Sequence, residues 1–207
     1  MHIAIVGSGR IGGGLGRAWR ARGHQVTFGV RDPEDADVAA LCAETGARAT
    51  DVAASTDGAD VIVLAVPYAA VDAVLGELGA RVNGRVVIDC TNALNPGPTL
   101  KFGHTTSSAE ELQKKIPEAR VFKSFNAQGA ENLANPVYGG IRATNFYCGD
   151  DAEGKALVHQ LVEDAGFDPV DAGPLASARY VEPAMMLWVS CSRTLGTRDI
   201  AFRLLRR

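Results

Sequence analysis

Residues 3–14 read IAIVGSGRIGGG, an apolar run that breaks into a glycine-rich turn and then into a helix-forming stretch. Gly7, Gly9 and Gly12 fit the spacing G-x-G-x-x-G. The spacing alone is weak evidence. Its place, after a buried strand and at the opening of a helix, is the context of a dinucleotide-binding turn. There the first glycine permits a tight turn, the second lets a pyrophosphate approach the backbone, and the third lets helix and strand pack closely. The N–H groups of Ser8, Gly9, Arg10 and Ile11 can then face phosphate at the positive end of the helix. The competing reading is a tight strand-to-helix turn that binds nothing. Gly13, Gly14 and Gly16 are surplus to the motif; each lowers helix propensity, and the sequence shows no role for them.

Outward from this turn, strands and helices alternate. HIAIVG (2–7) and QVTFGV (25–30) read as strands flanking a helix over 10–23 that Gly23 ends. A helix over 33–46 follows, with Pro33 early, acidic residues in its first turn and Gly46 past its end. ARAT (47–50) reads as a short strand, with a helix near 51–57. DVIVLAV (60–66) and RVVIDC (85–90) are continuous apolar strands separated by a helix from about 68 to 79. Continuous apolar strands suit a parallel sheet covered on both faces. The fold class is therefore α/β, a Rossmann-type doubly wound, mainly parallel sheet.

Residues 92–105 hold two prolines and two glycines and read as a long loop. Ser107 and Glu110 mark a capping box for a helix near 108–115. RVFKSFN (120–126) is a sixth strand. TNFYCG (144–149) and DPVDAG (168–173) are later strands around a helix over 151–166, and residues 177–205 are expected to be largely helical. A chain of 207 residues allows one substantial core with a small second lobe. The expected division is a dinucleotide-binding unit over 1–126 and a small C-terminal helical and αβ lobe over 127–207.

VTFGVRDP (26–33) ends the second strand, where a carboxylate would bind the adenosine 2′-OH and repel a 2′-phosphate. Arg31 has the opposite preference, offering charge and several donors. NADP(H) is the expected cofactor, with the Val30 backbone and Arg31 near the 2′-phosphate. Asp32 leaves an alternative open, because an inward carboxylate would bind a ribose. In such sheets ligands sit beyond the carboxyl ends of the strands. That places Val66, Pro67 and Tyr68, Thr91 and Asn92, and Asn126 and Ala127 around the nicotinamide. Asn92 could bond the carboxamide or a ribose, and Asn126 the cofactor or its redox acceptor; loop capping is the competing role for both.

Composition removes other classes. A net charge of -3 gives no basic field for nucleic acid or an anionic membrane. No apolar run reaches the roughly 20 residues of a membrane helix. A strand begins almost at once, leaving no room for a signal peptide, so cytoplasmic location is expected. Cys42, Cys90, Cys148 and Cys191 are dispersed, as are the four histidines, so reduced thiols and no metal site are expected. No catalytic acid–base group stands out: Lys123 lies in a strand, Lys101 in a loop, and Tyr68 and His104 are weak candidates. Cofactor positioning without a proton donor suits direct hydride transfer to a flavin-like acceptor.

IAIVGSGRIGGGLG (3–16), FGVRDP (28–33), VIVLAVPYAAV (61–71), FYCGDD (146–151) and especially DPVDAGPLASARYVEP (168–183) together resemble the F420-dependent NADP oxidoreductase family over nearly the whole chain. The cytosolic reductase domains of the six-transmembrane metalloreductases are similar too, and FNAQ (125–128) is closer to their pattern. The resemblance implies an NADPH-dependent oxidoreductase exchanging hydride with the deazaflavin F420 or a flavin, with the C-terminal lobe completing the acceptor pocket. It places pyrophosphate on Ser8–Ile11, the 2′-phosphate on Val30 and Arg31, and the nicotinamide beside Ala65, Val66 and Pro67. Two other functions remain open: reduction of a small imine or carbonyl metabolite, and a non-catalytic NADP(H) sensor. Val181, Ala184, Met185, Trp188 and Leu195 fall on one helical stripe, read as core packing, with a homodimer interface or acceptor-pocket wall as alternatives. Arg179 is the polar exception, a candidate contact for an anionic acceptor tail.

Overall fold

The strand that precedes the glycine-rich turn lies inside an eight-stranded sheet. The computed structural model describes residues 1–97 and 99–207; Pro98, within the expected 92–105 loop, lies outside the described residues. The elements in chain order are β1 (His2–Val6), α1 (Arg10–Ala21), β2 (Gln25–Gly29), α2 (Ala36–Thr45), β3 (Arg48–Thr50), β4 (Val61–Leu64), α3 (Val71–Leu78), β5 (Val86–Asp89) and α4 (Ser108–Lys115). They continue with β6 (Arg120–Lys123), α5 (Glu131–Ala134), β7 (Val137–Tyr138), β8 (Ile141–Arg142), β9 (Thr144–Gly149), α6 (Ala152–Asp164), β10 (Asp168–Asp171) and α7 (Ala178–Leu195).

The sheet order is β10-β9-β6-β5-β4-β1-β2-β3. Its first six strands in sequence run parallel in the order 3-2-1-4-5-6, the doubly wound arrangement expected from the alternation of elements. β9 joins β6 antiparallel and β10 joins β9 in parallel, so the C-terminal residues extend the same sheet. Alternate strand residues face opposite layers. Ile3, Ile5, Val61, Val63 and Ile88 pack under Leu15 and Trp19 of α1, Leu41 of α2 and Leu161 of α6. Ala4, Val6, Ile62, Leu64 and Val87 pack under Val74 of α3, Leu112 of α4 and Val181 of α7. Both faces are apolar because both are covered.

The surplus glycines of α1 have packing roles. A Cβ on Gly16 would strike the Phe28 ring, and one on Gly14 would lie 2.9 Å from Leu133 Cδ1. They trade helix propensity for close approach of α1 to β2 and α5.

Several expected boundaries move. The second helix begins at Ala36 rather than 33, because Asp35 caps it, accepting from the N–H groups of Asp37 and Val38. Pro33 lies in the preceding turn, and Gly46 ends the helix in the left-handed conformation as expected. The helix near 51–57 is a 3-10 turn over Ala54–Thr56. The last helix stops at Leu195, where Gly196 turns left-handed. Residues 197–207 are extended and irregular, held where Trp188 Nε1 donates to the Ile200 carbonyl and Thr144 N to that of Phe202. The β7–β8 hairpin and α5 were not foreseen.

Candidate functional site

Val6 pairs with Leu64, Leu64 with Asp89, and Asp89 with Lys123, so the carboxyl ends of β1, β4, β5 and β6 stand in one row. The segments that follow, from Gly7, Ala65, Cys90 and Ser124, emerge along one edge. This register gathers the sequence-predicted residues other than Val30 and Arg31, which follow β2, the strand beside β1.

Gly7 has φ +105°, a conformation that excludes a side chain on steric grounds. A Cβ there would lie 2.5 Å from the Ala65 carbonyl oxygen and 3.1 Å from Val66 Cγ1. Gly12 presses on the Gly7 carbonyl, which a Cβ would strike. Gly9, by contrast, has open space where a Cβ would stand. It is the N-cap of α1 and supplies no side-chain cap, and the first turn holds no acidic residue. The first intrahelical bond runs from Gly13 N to Gly9 O at 2.7 Å. The N–H groups before Gly13 therefore lack helical partners and sit at the positive end of the helix, with room above Gly9 for an anion. The turn fits a dinucleotide pyrophosphate.

Arg31 is exposed and has no hydrogen-bond or ion-pair partner among the described residues. The acids near it are turned to the backbone. Asp32 Oδ1 accepts from Glu34 N at 3.0 Å, and Asp35 caps α2. This argues against an inward, ribose-binding Asp32. Val30 is buried in the core, and its N–H donates to the Thr50 carbonyl, so only its carbonyl remains for a ligand.

On the opposite wall, Asn92 and Asn126 hold one another. Asn92 Nδ2 donates to the Asn126 carbonyl at 3.1 Å, and Asn126 Nδ2 donates to Asn92 Oδ1 at 3.3 Å and to the Val181 carbonyl at 3.4 Å. Asn126 is only 2% exposed, yet its Oδ1 has no partner among the described residues, and neither has the buried Thr91 Oγ1. Orphaned buried acceptors cost free energy unless something fills them. Phe125, at φ 57°, occupies a left-handed conformation that bulky residues avoid. Its ring packs edge-on against Trp19 and Phe167, while Asn126, next in the chain, reaches Asn92. Ala127 is buried beside it. Pro67 is exposed and opens a 3-10 turn, Tyr68–Ala70. Tyr68 meets Phe102 edge-on at 5.9 Å, with Lys101 Nζ 5.4 Å from the Tyr68 ring centroid. Burial raises the Tyr68 pKa, which keeps its phenol neutral.

Sequence reasoning missed the most buried polar group here. Lys123 is 0% exposed, and its Nζ donates to Asp89 Oδ2 at 2.9 Å, to the Thr91 carbonyl at 2.6 Å and to Ser108 Oγ at 3.1 Å, with Glu182 Oε1 at 3.3 Å. Glu182 also accepts from the N–H groups of Ser108 and Ala109 at the start of α4. Burial pulls the Lys123 pKa down, but the Asp89 and Glu182 carboxylates outweigh it and hold the ammonium above the ordinary lysine range. A lysine so enclosed is no proton donor to a substrate; it locks β5, β6, α4 and α7 together. Its signal was present as opposite charges ending two neighbouring apolar strands.

Two further expectations are corrected. Arg179 is committed to Glu110, with Nε–Oε2 at 2.9 Å and Nη2–Oε1 at 2.6 Å, and is not free for an acceptor tail. The Glu110 carboxylate thus serves Arg179 and the Ser107 hydroxyl, while Ser107 Oγ accepts from Glu110 N as a cap should. Val181, Met185 and Trp188 form the buried stripe of α7, but Leu195 lies off it, 64% exposed. Burial raises the pKa of Cys148 to about 12, and Cys90 is likewise raised, so both are inert thiols. No group of three or more metal-ligating side chains forms among the described residues, and no helix there is long and apolar enough to cross a membrane.

Residues 2–93 match the family model described as NADP oxidoreductase, coenzyme F420-dependent. A crystal structure from Arthrobacter sp. FB24, provisionally assigned as an F420-dependent NADP reductase, superposes with a TM-score of 0.89 at 30% identity, covering 99% of both chains. The chain belongs to the F420-dependent NADP oxidoreductase family. It is an NADP-dependent oxidoreductase by class. The F420-dependent NADP reductase of Methanocaldococcus jannaschii is 28% identical over 99% of this chain and 98% of its own length. The metalloreductase STEAP3 of Rattus norvegicus is 31% identical over 87% of this chain, which spans 35% of that longer protein. The family expected from the five motifs is therefore the one the comparisons show.

Proposed function

We propose that this member passes hydride between NADP(H) and a planar ring acceptor, the deazaflavin F420 or a flavin. The observation that carries the reading is the uncapped, acid-free start of α1, open above Gly9, beside an exposed and unpartnered Arg31. Ser8, Gly9, Arg10 and Ile11 hold the pyrophosphate, and Arg31 holds the 2′-phosphate, with the Val30 backbone beside it. Ala65, Val66 and Pro67 form one wall for the nicotinamide. Asn92, Asn126 and Ala127 form the other, with the open Asn126 Oδ1 as acceptor for an amide N–H. When bound, the cofactor supplies the hydride. The chain contributes orientation: the Asn92 and Asn126 wall stands on the ends of β5 and β6, locked by Lys123, Asp89 and Glu182, and the other wall on the end of β4 beside them. Its wall atoms are neutral hydrogen-bonding groups, and the buried Lys123 ammonium is enclosed. Such a site suits an acceptor that needs alignment and can take its proton from water. Tyr68 and Phe102 offer the aromatic edge against which a ring would lie. The exposed side of α7, with Tyr180 79% and Leu187 56% exposed, is where a homodimer would close.

The test is anaerobic NADPH oxidation by the purified protein with F420, FMN, FAD and a panel of imines and carbonyls. Reduction of F420 or a flavin in one-to-one ratio with NADPH loss is expected. Turnover with an imine or carbonyl alone, or binding of NADPH without turnover by any acceptor, contradicts the proposal.

A further inference from the structure

Among Ser8–Ile11, Arg10 alone carries charge. Its side chain is 71% exposed, yet Nη2 is held by the Glu131 carboxylate. Glu131 is the first residue of α5, on the segment that leaves β6 through Asn126 and Ala127 and returns to α1. There Leu133 packs against Gly14. The Arg10–Glu131 pair thus ties the nicotinamide wall to the phosphate-binding turn. Glu131 has a second partner: Arg198 donates from Nε to Oε1 at 2.9 Å and from Nη2 to Oε2 at 3.2 Å. The guanidinium of Arg198 is itself fixed 4.9 Å from the Trp188 ring centroid.

We propose that Arg10 is an exchangeable clasp: Glu131 holds its guanidinium in the cofactor-free protein, and the dinucleotide's pyrophosphate takes it over on binding. This rests on the cofactor reading above. Three features support it. An exposed ion pair is weak in water, so Arg10 leaves Glu131 at small cost. A pyrophosphate offers charge-assisted bonds of the same kind, with more oxygens and more negative charge, at the helix end from which Arg10 projects. Arg198 stays on Glu131, so no carboxylate is left uncompensated after the exchange. The Arg198 bonds, outweighing partial burial, pull the Glu131 carboxyl down to about 2, so the competitor remains ionised at any ordinary assay pH. Glu131 is therefore a brake on cofactor affinity, acting through Arg10 on the pyrophosphate that NADH and NADPH share.

Calorimetric titration of NADPH and NADH against wild type, Arg10→Ala, Glu131→Gln and the double variant tests this, with thermal melts confirming that each is folded. Arg10→Ala should weaken both cofactors by the same factor, about tenfold. Glu131→Gln should tighten both about two- to fivefold. In the Arg10→Ala background, Glu131→Gln should change nothing. A gain from Glu131→Gln that persists undiminished in that background overturns the clasp, because Glu131 would then act on the phosphates directly. Wild-type binding that neither single variant alters also overturns it. Failure of wild type to bind either cofactor overturns the cofactor reading itself, and the clasp with it.

Discussion

Replacing Lys123 by methionine removes a fully buried ammonium from between two buried carboxylates while keeping most of its volume. The structure shows which carboxylate suffers more. Glu182 keeps the N–H groups of Ser108 and Ala109 and the Ser108 hydroxyl. Asp89 keeps the Thr91 N–H on Oδ1 but loses the donor to Oδ2. Breaking one partner out of a buried ion pair costs about 3–5 kcal/mol, a large part of the roughly 5–15 kcal/mol by which domains are stable. At about 2–4 °C per kcal/mol for a chain of this size, the melting temperature should fall by roughly 6–20 °C. With Lys123 gone, the buried Asp89 carboxylate is left without its counter-charge, and Asp89→Asn in the same chain should recover part of the loss. In wild type the network's contribution falls with rising pH at the alkaline end. The raised Lys123 pKa contributes stability in full below the ordinary lysine value of 10.5, lost as pH climbs through the higher folded value. Denaturant and thermal unfolding by circular dichroism at neutral and alkaline pH measures all of this. A Lys123→Met protein as stable as wild type, or one whose loss ignores Asp89→Asn, refutes the assignment of the network.

Two glycines of the same turn and helix should behave in opposite ways. Gly9→Ala places its Cβ in open space, so the melting temperature should hold while titrated NADPH affinity falls. Gly16→Ala drives a Cβ into Phe28 and should cost about 1–3 kcal/mol in unfolding experiments, with cofactor affinity of the folded fraction little changed. Wild type should sediment as a dimer and Leu187→Glu, on the exposed face of α7, as a folded monomer; a monomeric wild type, or a variant that stays dimeric, refutes α7 as the dimer contact.

The sheet was legible because its signals are local. Continuous runs such as VIVL (61–64) and VVID (86–89), short, β-branched and bounded by turn residues, read as strands covered on both faces, and Gly7, Gly9 and Gly12 each fill one steric demand of a single turn. What escaped depends on residues distant in the chain. Gly16 is explained by Phe28 across the layer, Gly14 by Leu133, and neither partner is visible from α1 alone. Lys123 looked like a stray charge in a strand, because Asp89 stands 34 residues away in the chain and Glu182 in the last helix. Arg179 looked free because Glu110 had been assigned to a capping box. The tail after Gly196 looked helical because its composition is, whereas bonds to Ile200 and Phe202 draw it against the protein. Local pattern thus marked the cofactor turn, while the ion networks that hold the far wall needed the fold.

The central claim is that the start of α1 and Arg31 together select and hold NADP(H), and Arg31→Ala tests it most directly. The contact is a charge-assisted bond at an exposed position, so the lower end of its usual range applies and the loss should be about tenfold. Titrating NADPH and NADH by calorimetry against wild type and Arg31→Ala should show that loss for NADPH alone, because only NADPH carries the 2′-phosphate. Equal losses for both cofactors, or none for either, would mean that Arg31 is a solvated turn residue and that the cofactor assignment is wrong.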